Sequence, residues 1–205
     1  MSKWLDWAKQ LQAIAQAGEA YSKDAYDVER FKMVEDIAHQ MFADISDKSV
    51  ADIQKLFIPE TGYPTPKVDL RAGVIRDGKI LLVREREDGG WTLPGGWADV
   101  CETPSSGVVR EVLEESGLVV AKPKLIAIRD RAMHEYQPPY PFHIYKMFFL
   151  CEYVSGEPKE NIEVSEIDFF AQHKIPPLSQ SRVLPRDIEM VFDAFYSEDF
   201  QVHVD

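Results

Sequence analysis

Between Gly96 and Leu118 the chain reads GWADVCETPSSGVVREVLEESGL, and Glu111, Glu114 and Glu115 stand at i, i+3 and i+4 within it. On a helix that spacing brings three carboxylates onto one face. Adjacent anions raise one another's pKa and oppose folding unless a cation stands among them, so a bound metal is the economical reading. Oxygen donors of this kind suit Mg²⁺ or Mn²⁺. Thr103 can accept from the free amides of a first turn, Pro104 loses nothing at the first helical position, and Gly117 can take the left-handed conformation that ends a helix. The expected helix therefore runs from Pro104 to Ser116. Val108, Val109, Val112 and Leu113 form its apolar side, to be packed on a core while the glutamates face away from it. Taken alone, REVLEES would pass for an ordinary solvated face.

The full spacing narrows the choice. Gly96, five residues, Glu102, seven residues, Arg110-Glu111-Val112, one residue, Glu114-Glu115, one residue and Gly117-Leu118 match every fixed position of the Nudix box, and the chain resembles the Nudix hydrolases. The resemblance implies an α+β fold, the Nudix α/β/α sandwich, and hydrolysis of a diphosphate by water with Mg²⁺ or Mn²⁺. It implies Glu111 and Glu115 as principal metal ligands, Glu114 ligating directly or through water, and the Gly95 carbonyl completing the set. Glu102 and Arg110 are implied as a structural pair holding loop and helix in register. A base for the water is implied in the loop SGEPKENIEVSEIDFF, where Glu163 is the first choice and Glu166 and Glu160 compete; Glu111 or Glu115 could serve instead.

Outside the box the chain divides by pattern. Residues 1–60 read as a small helical domain: one helix from Trp4, Leu5, Trp7, Ala8, Leu11, Ile14 and Ala15, a second from Asp24 to about Ala43, and a short third over Val50 to Phe57. Two such amphipathic helices cannot bury their apolar stripes alone, so a homodimer contact is expected, with Trp4 and Trp7 read as core. IPETGYPTPK is the linker, and 67–205 the hydrolase domain. There, strands flanking Asp77-Gly78 form a hairpin, LIAIRDRA, HIYKMFFLCEY and IDFFA are further strands with HIYKMFFLCEY central, and PRDIEMVFDAFYS closes as a helix over a sheet face.

Composition bounds the partners. A formal charge of −12 disfavours a grip on long nucleic acid, which leaves RNA possible but not favoured. No apolar run reaches membrane length and the start carries acid, so a cytoplasmic protein with no membrane partner is expected. Cys101 and Cys151 have no partners at disulfide or zinc spacing, and Cys101 is read as packing.

Substrate selection is expected from the loop RAMHEYQPPYPFH. Tyr136, Tyr140 and Phe142 could stack a base, Arg129 or Arg131 could hold the distal phosphate, His134 or His143 could donate, and Arg84 and Arg86 at the hairpin end are further phosphate candidates. The amino-terminal segment and IPPLSQSR resemble a bacterial subgroup that includes CDP-choline and ADP-ribose pyrophosphatases. The expected substrate is a small nucleotide-linked diphosphate, CDP-choline first and ADP-ribose second. An RNA-processing hydrolase and a non-catalytic binding module are the alternatives.

Overall fold

The computed structural model describes residues 3–57, 61–159 and 162–205. The chain divides into two compact units, residues 1–66 with 139–143 and residues 67–138 with 144–205. Five residues of the long loop after residue 130 therefore belong with the amino-terminal helices.

In the first unit, α1 (Lys3–Tyr21), α2 (Ala25–Asp44) and α3 (Val50–Phe57) pack on one another. Asp24 caps α2, accepting from the amides of Tyr26 and Asp27 at 2.9 and 3.1 Å. Leu5, Ala8, Phe42, Ile53 and Phe57 form the core, with the Phe142 ring 5.1 Å from that of Phe57. Trp4 and Trp7 are not core: they are 59% and 47% exposed and meet edge to face at 5.1 Å. Helix α1 carries two apolar lines one residue apart, and the small side chains decide between them. Ala8 and Ala15, with Leu5 and Gln12, turn inward, leaving the bulky Trp4, Trp7 and Ile14 outside.

The second unit is a mixed sheet with a helix on each face. Strands β1 (Lys67–Arg76) and β2 (Lys79–Glu85) form the expected hairpin, and Asp77 and Gly78 both take positive φ, 53° and 73°, as a two-residue turn of this hand requires. The path runs β3 (Trp91–Thr92), β2, β1, β5 (Ile144–Ser155), β4 (Val119–Asp130), β7 (His203–Val204), with β6 (Val164–Ala171) also paired to β2. β5 is central, parallel to β1 and antiparallel to β4. β3 and β7 have two residues each, too few for an alternating pattern, and are the strands that sequence reading missed.

Alternation along β1 assigns the faces. Leu70, Ala72 and Val74 pack with Val108 and Val112 of α4 (Pro104–Ser116); Ile75 packs with Ile188, Val191 and Phe192 of α5 (Pro185–Tyr196) on the other side. Burying Val108 and Val112 fully stabilises α4 on the sheet by about 1.5–3 kcal/mol each. Leu113 departs from expectation and lies half exposed, because the buried arc of α4 runs through Val108, Val112, Glu115 and Ser116 and ends short of it. Cys101 is exposed at φ 63° in the turn before the helix, not packed.

Candidate active site

Helix α4 begins and ends as its sequence dictates. Thr103 Oγ1 accepts from the Ser106 amide at 3.1 Å, the Ser106 hydroxyl accepts from the Thr103 amide at 3.0 Å, and Gly117 ends the helix at φ 74° with its N–H on the Leu113 carbonyl. Ahead of it the WTLPGG segment lies along β1, with Ala72 N donating to Pro94 O at 2.9 Å and Leu70 N to Gly96 O at 2.8 Å. Gly95 has φ 143°, and a Cβ there would stand 2.0 Å from the Leu70 carbonyl oxygen, so no other residue fits.

The three helix glutamates occupy three different environments. Glu115 is buried, with Oε2 accepting from the Gly95 amide at 2.8 Å. Burial pushes its carboxyl up to about 8, against the opposing pull of Arg71 and of the Gly95 hydrogen bond. Glu111 is half-buried and borders Gly96 so closely that a Cβ there would lie 3.1 Å from Oε2; burial raises its pKa, with Arg110 opposing. Glu114 is exposed. Arg110 joins them to the loop: Nη1 meets Glu111 Oε1 at 3.0 Å and Glu114 Oε2 at 2.8 Å, while Nε and Nη2 hold Glu102 at 3.1 and 3.0 Å.

Among the described residues no three His, Cys, Asp or Glu side chains stand gathered as a ready-made cation cage. The donor set nevertheless fits a hard divalent ion. It is all oxygen, Arg110 engages one oxygen of Glu111 and the Gly95 amide one oxygen of Glu115, and a carboxyl raised to about 8 is one that a nearby cation would ionise.

The other candidates scatter. Glu163 is exposed just before β6, and its backbone carbonyl accepts from Arg86 N at 3.1 Å. Its charge helps raise the pKa of Glu85, a shift caused first by burial, and Glu85 in turn acts on Glu115. Glu166 pairs with Arg84 at 2.5 Å, and Glu160 lies outside the described residues. Arg129 is turned to Asp187, and Arg131 is buried with Nη2 on the Pro138 carbonyl at 2.8 Å. Tyr136 is buried with its hydroxyl donating to Asp187 Oδ2 at 2.7 Å. Thus Arg129 and Tyr136 meet at Asp187, while Tyr140, Phe142 and His143 belong to the helical unit. His134 contacts Asp205 at 2.7 Å.

Sequence reasoning missed two groups here. Arg182, from IPPLSQSR, reaches Glu85 at 3.0 Å and Glu87 at 2.6 Å, and Ser179 Oγ donates to Asp88 at 2.7 Å, fixing the loop before WTLPGG. Asp69, Arg71 and Lys146 form a buried ionic cluster. The signal for the second was in VDLRAGVI, where two charges at i and i+2 share one face of an otherwise apolar strand.

Residues 67–191 match the NUDIX domain model. The chain belongs to the Nudix hydrolases. Residues 2–57 match a model described as a UDP-X-like, N-terminal oligomerisation domain. A Bacillus subtilis (strain 168) protein, YjhB, provisionally named an ADP-ribose pyrophosphatase, is 43% identical over 94% of this chain and 92% of its own length. The crystal structure of an ADP-ribose pyrophosphatase from Streptococcus suis is 36% identical with a TM-score of 0.63, over 69% of this chain and all of that one. A crystal structure of a UDP-X diphosphatase is 28% identical with a TM-score of 0.64, over 99% of this chain and 98% of that one. This Nudix protein is accordingly a hydrolase of nucleotide-linked pyrophosphates, similar to ADP-ribose pyrophosphatases. No helix among its described residues is long and apolar enough to cross a membrane.

Proposed function

We propose that this enzyme cleaves the pyrophosphate of ADP-ribose or a close nucleoside diphosphate conjugate. The observation that carries the reading is the complete box around α4, with Glu115 accepting from the Gly95 amide and Glu111 set against Gly96. The relatives at 43% and 36% identity both bear the ADP-ribose name, which puts that substrate ahead of CDP-choline.

Glu111, Glu115 and the Gly95 carbonyl, with Glu114 at the exposed edge, would hold Mg²⁺ or Mn²⁺. Such an ion, when bound, neutralises phosphate oxygens and lowers the pKa of water. Arg110 anchors the acidic ridge to Glu102, so that carboxylates which repel one another share a cation and keep one arrangement. Glu163, solvated on the loop before β6, takes the proton of the attacking water. The oligomerisation match over α1 to α3, and the apolar side chains exposed on those helices, support a homodimer.

A second reading comes from the NAD-capped RNA hydrolase NudC of Photorhabdus laumondii, 30% identical over 62% of this chain and 48% of its own. One panel separates the readings: ADP-ribose, CDP-choline, a UDP-sugar, NADH and NAD-capped RNA, each with Mg²⁺ and with Mn²⁺. Highest kcat/KM on ADP-ribose is expected. Preference for the capped RNA would favour the second reading, and no turnover on any of them would defeat the first.

A further inference from the structure

Two strands place full charges in the interior beside the site. Asp69 and Arg71 of β1 and Lys146 of β5 are all buried. Arg71 grips Asp69 as a fork, Nε to Oδ1 and Nη2 to Oδ2, both at 2.8 Å, and Lys146 Nζ reaches Asp69 Oδ1 at 2.8 Å. Burial opposes the charge on Asp69, yet Arg71 and Lys146 outweigh it and hold the carboxyl down at about 2; burial brings Lys146 down to about 8. The remaining Arg71 nitrogen, Nη1, donates to the Leu93 carbonyl at 3.1 Å.

Such a cluster is a poor way to gain stability. Ions taken out of water lose hydration that their attraction seldom more than repays, and well-packed apolar residues commonly serve as well or better. What apolar residues could not do is hold a backbone carbonyl. Leu93 lies two residues before Gly95, whose amide donates to Glu115, and β1 binds the same segment through Leu70 and Ala72. The segment is thus fixed by strand pairing at Pro94 and Gly96 and by a side chain at Leu93. Arg71 is too deeply buried to touch substrate.

We propose that Arg71 is a positioning residue of the hydrolase: locked by Asp69 and Lys146, it fixes the Leu93–Gly95 backbone on β1 and so holds the Gly95 peptide and Glu115 in register. This rests on the Nudix hydrolase reading above.

The test is Arg71→Lys, which keeps the charge but cannot make both the fork and the Leu93 bond. Loss of a supporting partner of this kind costs about 10–100-fold. With ADP-ribose and Mn²⁺ the expected result is kcat down by at least about tenfold with KM within about twofold. The thermal midpoint should stay within about 4 °C. Amide exchange at Gly95 should speed up by at least about tenfold, and Mn²⁺ affinity, titrated by electron paramagnetic resonance, should fall. Wild-type kcat and wild-type exchange together overturn the proposal, as does a kcat loss that merely follows a fall in the midpoint. Should Arg71→Lys not fold, the triple variant Asp69→Leu, Arg71→Met, Lys146→Met replaces the whole cluster. A folded, inactive triple variant supports positioning; a folded, fully active one, or one that cannot fold, refutes it. If the wild type hydrolyses nothing in the panel, the functional reading fails, while exchange and Mn²⁺ binding still report on Arg71.

Discussion

Glu115 shows how one carboxylate can be both costly and useful. It is buried, its pKa is raised by that burial, and its Oε2 accepts from the Gly95 amide. Glu115→Gln keeps size and hydrogen-bond capacity while removing the charge. It should lower kcat by more than about a hundredfold, beyond what a supporting residue costs, with a thermal midpoint unchanged or raised. Activity within tenfold of wild type would remove Glu115 from the metal site. Glu163, by contrast, is exposed and can change without disturbing packing. As the base, Glu163→Gln should cost about 10²–10⁴ in kcat and leave Mn²⁺ affinity alone. A kcat within a few-fold of wild type would pass the role to a box glutamate.

Among elements, legibility followed the strength of local rules. Helix α4 could be bounded at Pro104 and Ser116 because cap, first-turn proline and terminal glycine all lay in sequence. Thr103→Ala should therefore cost about 1 kcal/mol in urea unfolding, and no change would show the cap to be idle. The hairpin was equally plain from Asp77-Gly78. What failed was the choice of face where two apolar lines compete, as on α1, and the burial of charge, as at Arg71 and Lys146. Tertiary packing decides both, and neither Trp4 nor Lys146 carries a local mark of its outcome. His39 on α2 belongs to the same class. It is buried against the Phe57 ring at 5.5 Å, neither ring nitrogen has a hydrogen-bond partner among the described residues, and burial lowers its pKa from 6.5 despite Glu35 and Asp36. The native state then binds fewer protons than the unfolded chain as pH falls through 6.5, so stability is present above that pH and lost below it. The thermal midpoint of wild type should fall more between pH 7.5 and 5.5 than that of His39→Leu; parallel slopes would exclude the effect.

At the scale of the molecule, the outer line of α1 is the feature that a lone chain does not explain. Trp4, Trp7, Ile14 and Tyr21 recur at helical spacing and are 47–67% exposed, and Tyr26, Met33 and Ile37 of α2 are 51–72% exposed. Monomeric proteins seldom leave contiguous apolar surface beyond a few hundred Å², and stable interfaces bury upwards of about 1,000 Å² in total. The line lies within the region matched to an oligomerisation domain, so a second copy of the same surface is the proposed cover. Trp4→Glu with Trp7→Glu leaves the inner line of Leu5, Ala8 and Ala15 intact, so α1 still has its own core to pack on. Across a two-fold contact the new carboxylates would be duplicated, adding repulsion to the lost apolar area. Light scattering on the wild type should give the mass of two chains, and on the double variant that of one. The same mass for both proteins would take the outer line out of any interface. Activity separates two versions of the idea: unchanged kcat/KM in the monomer would make the dimer a matter of stability alone, whereas a raised KM at constant kcat would mean that assembly shapes the substrate site.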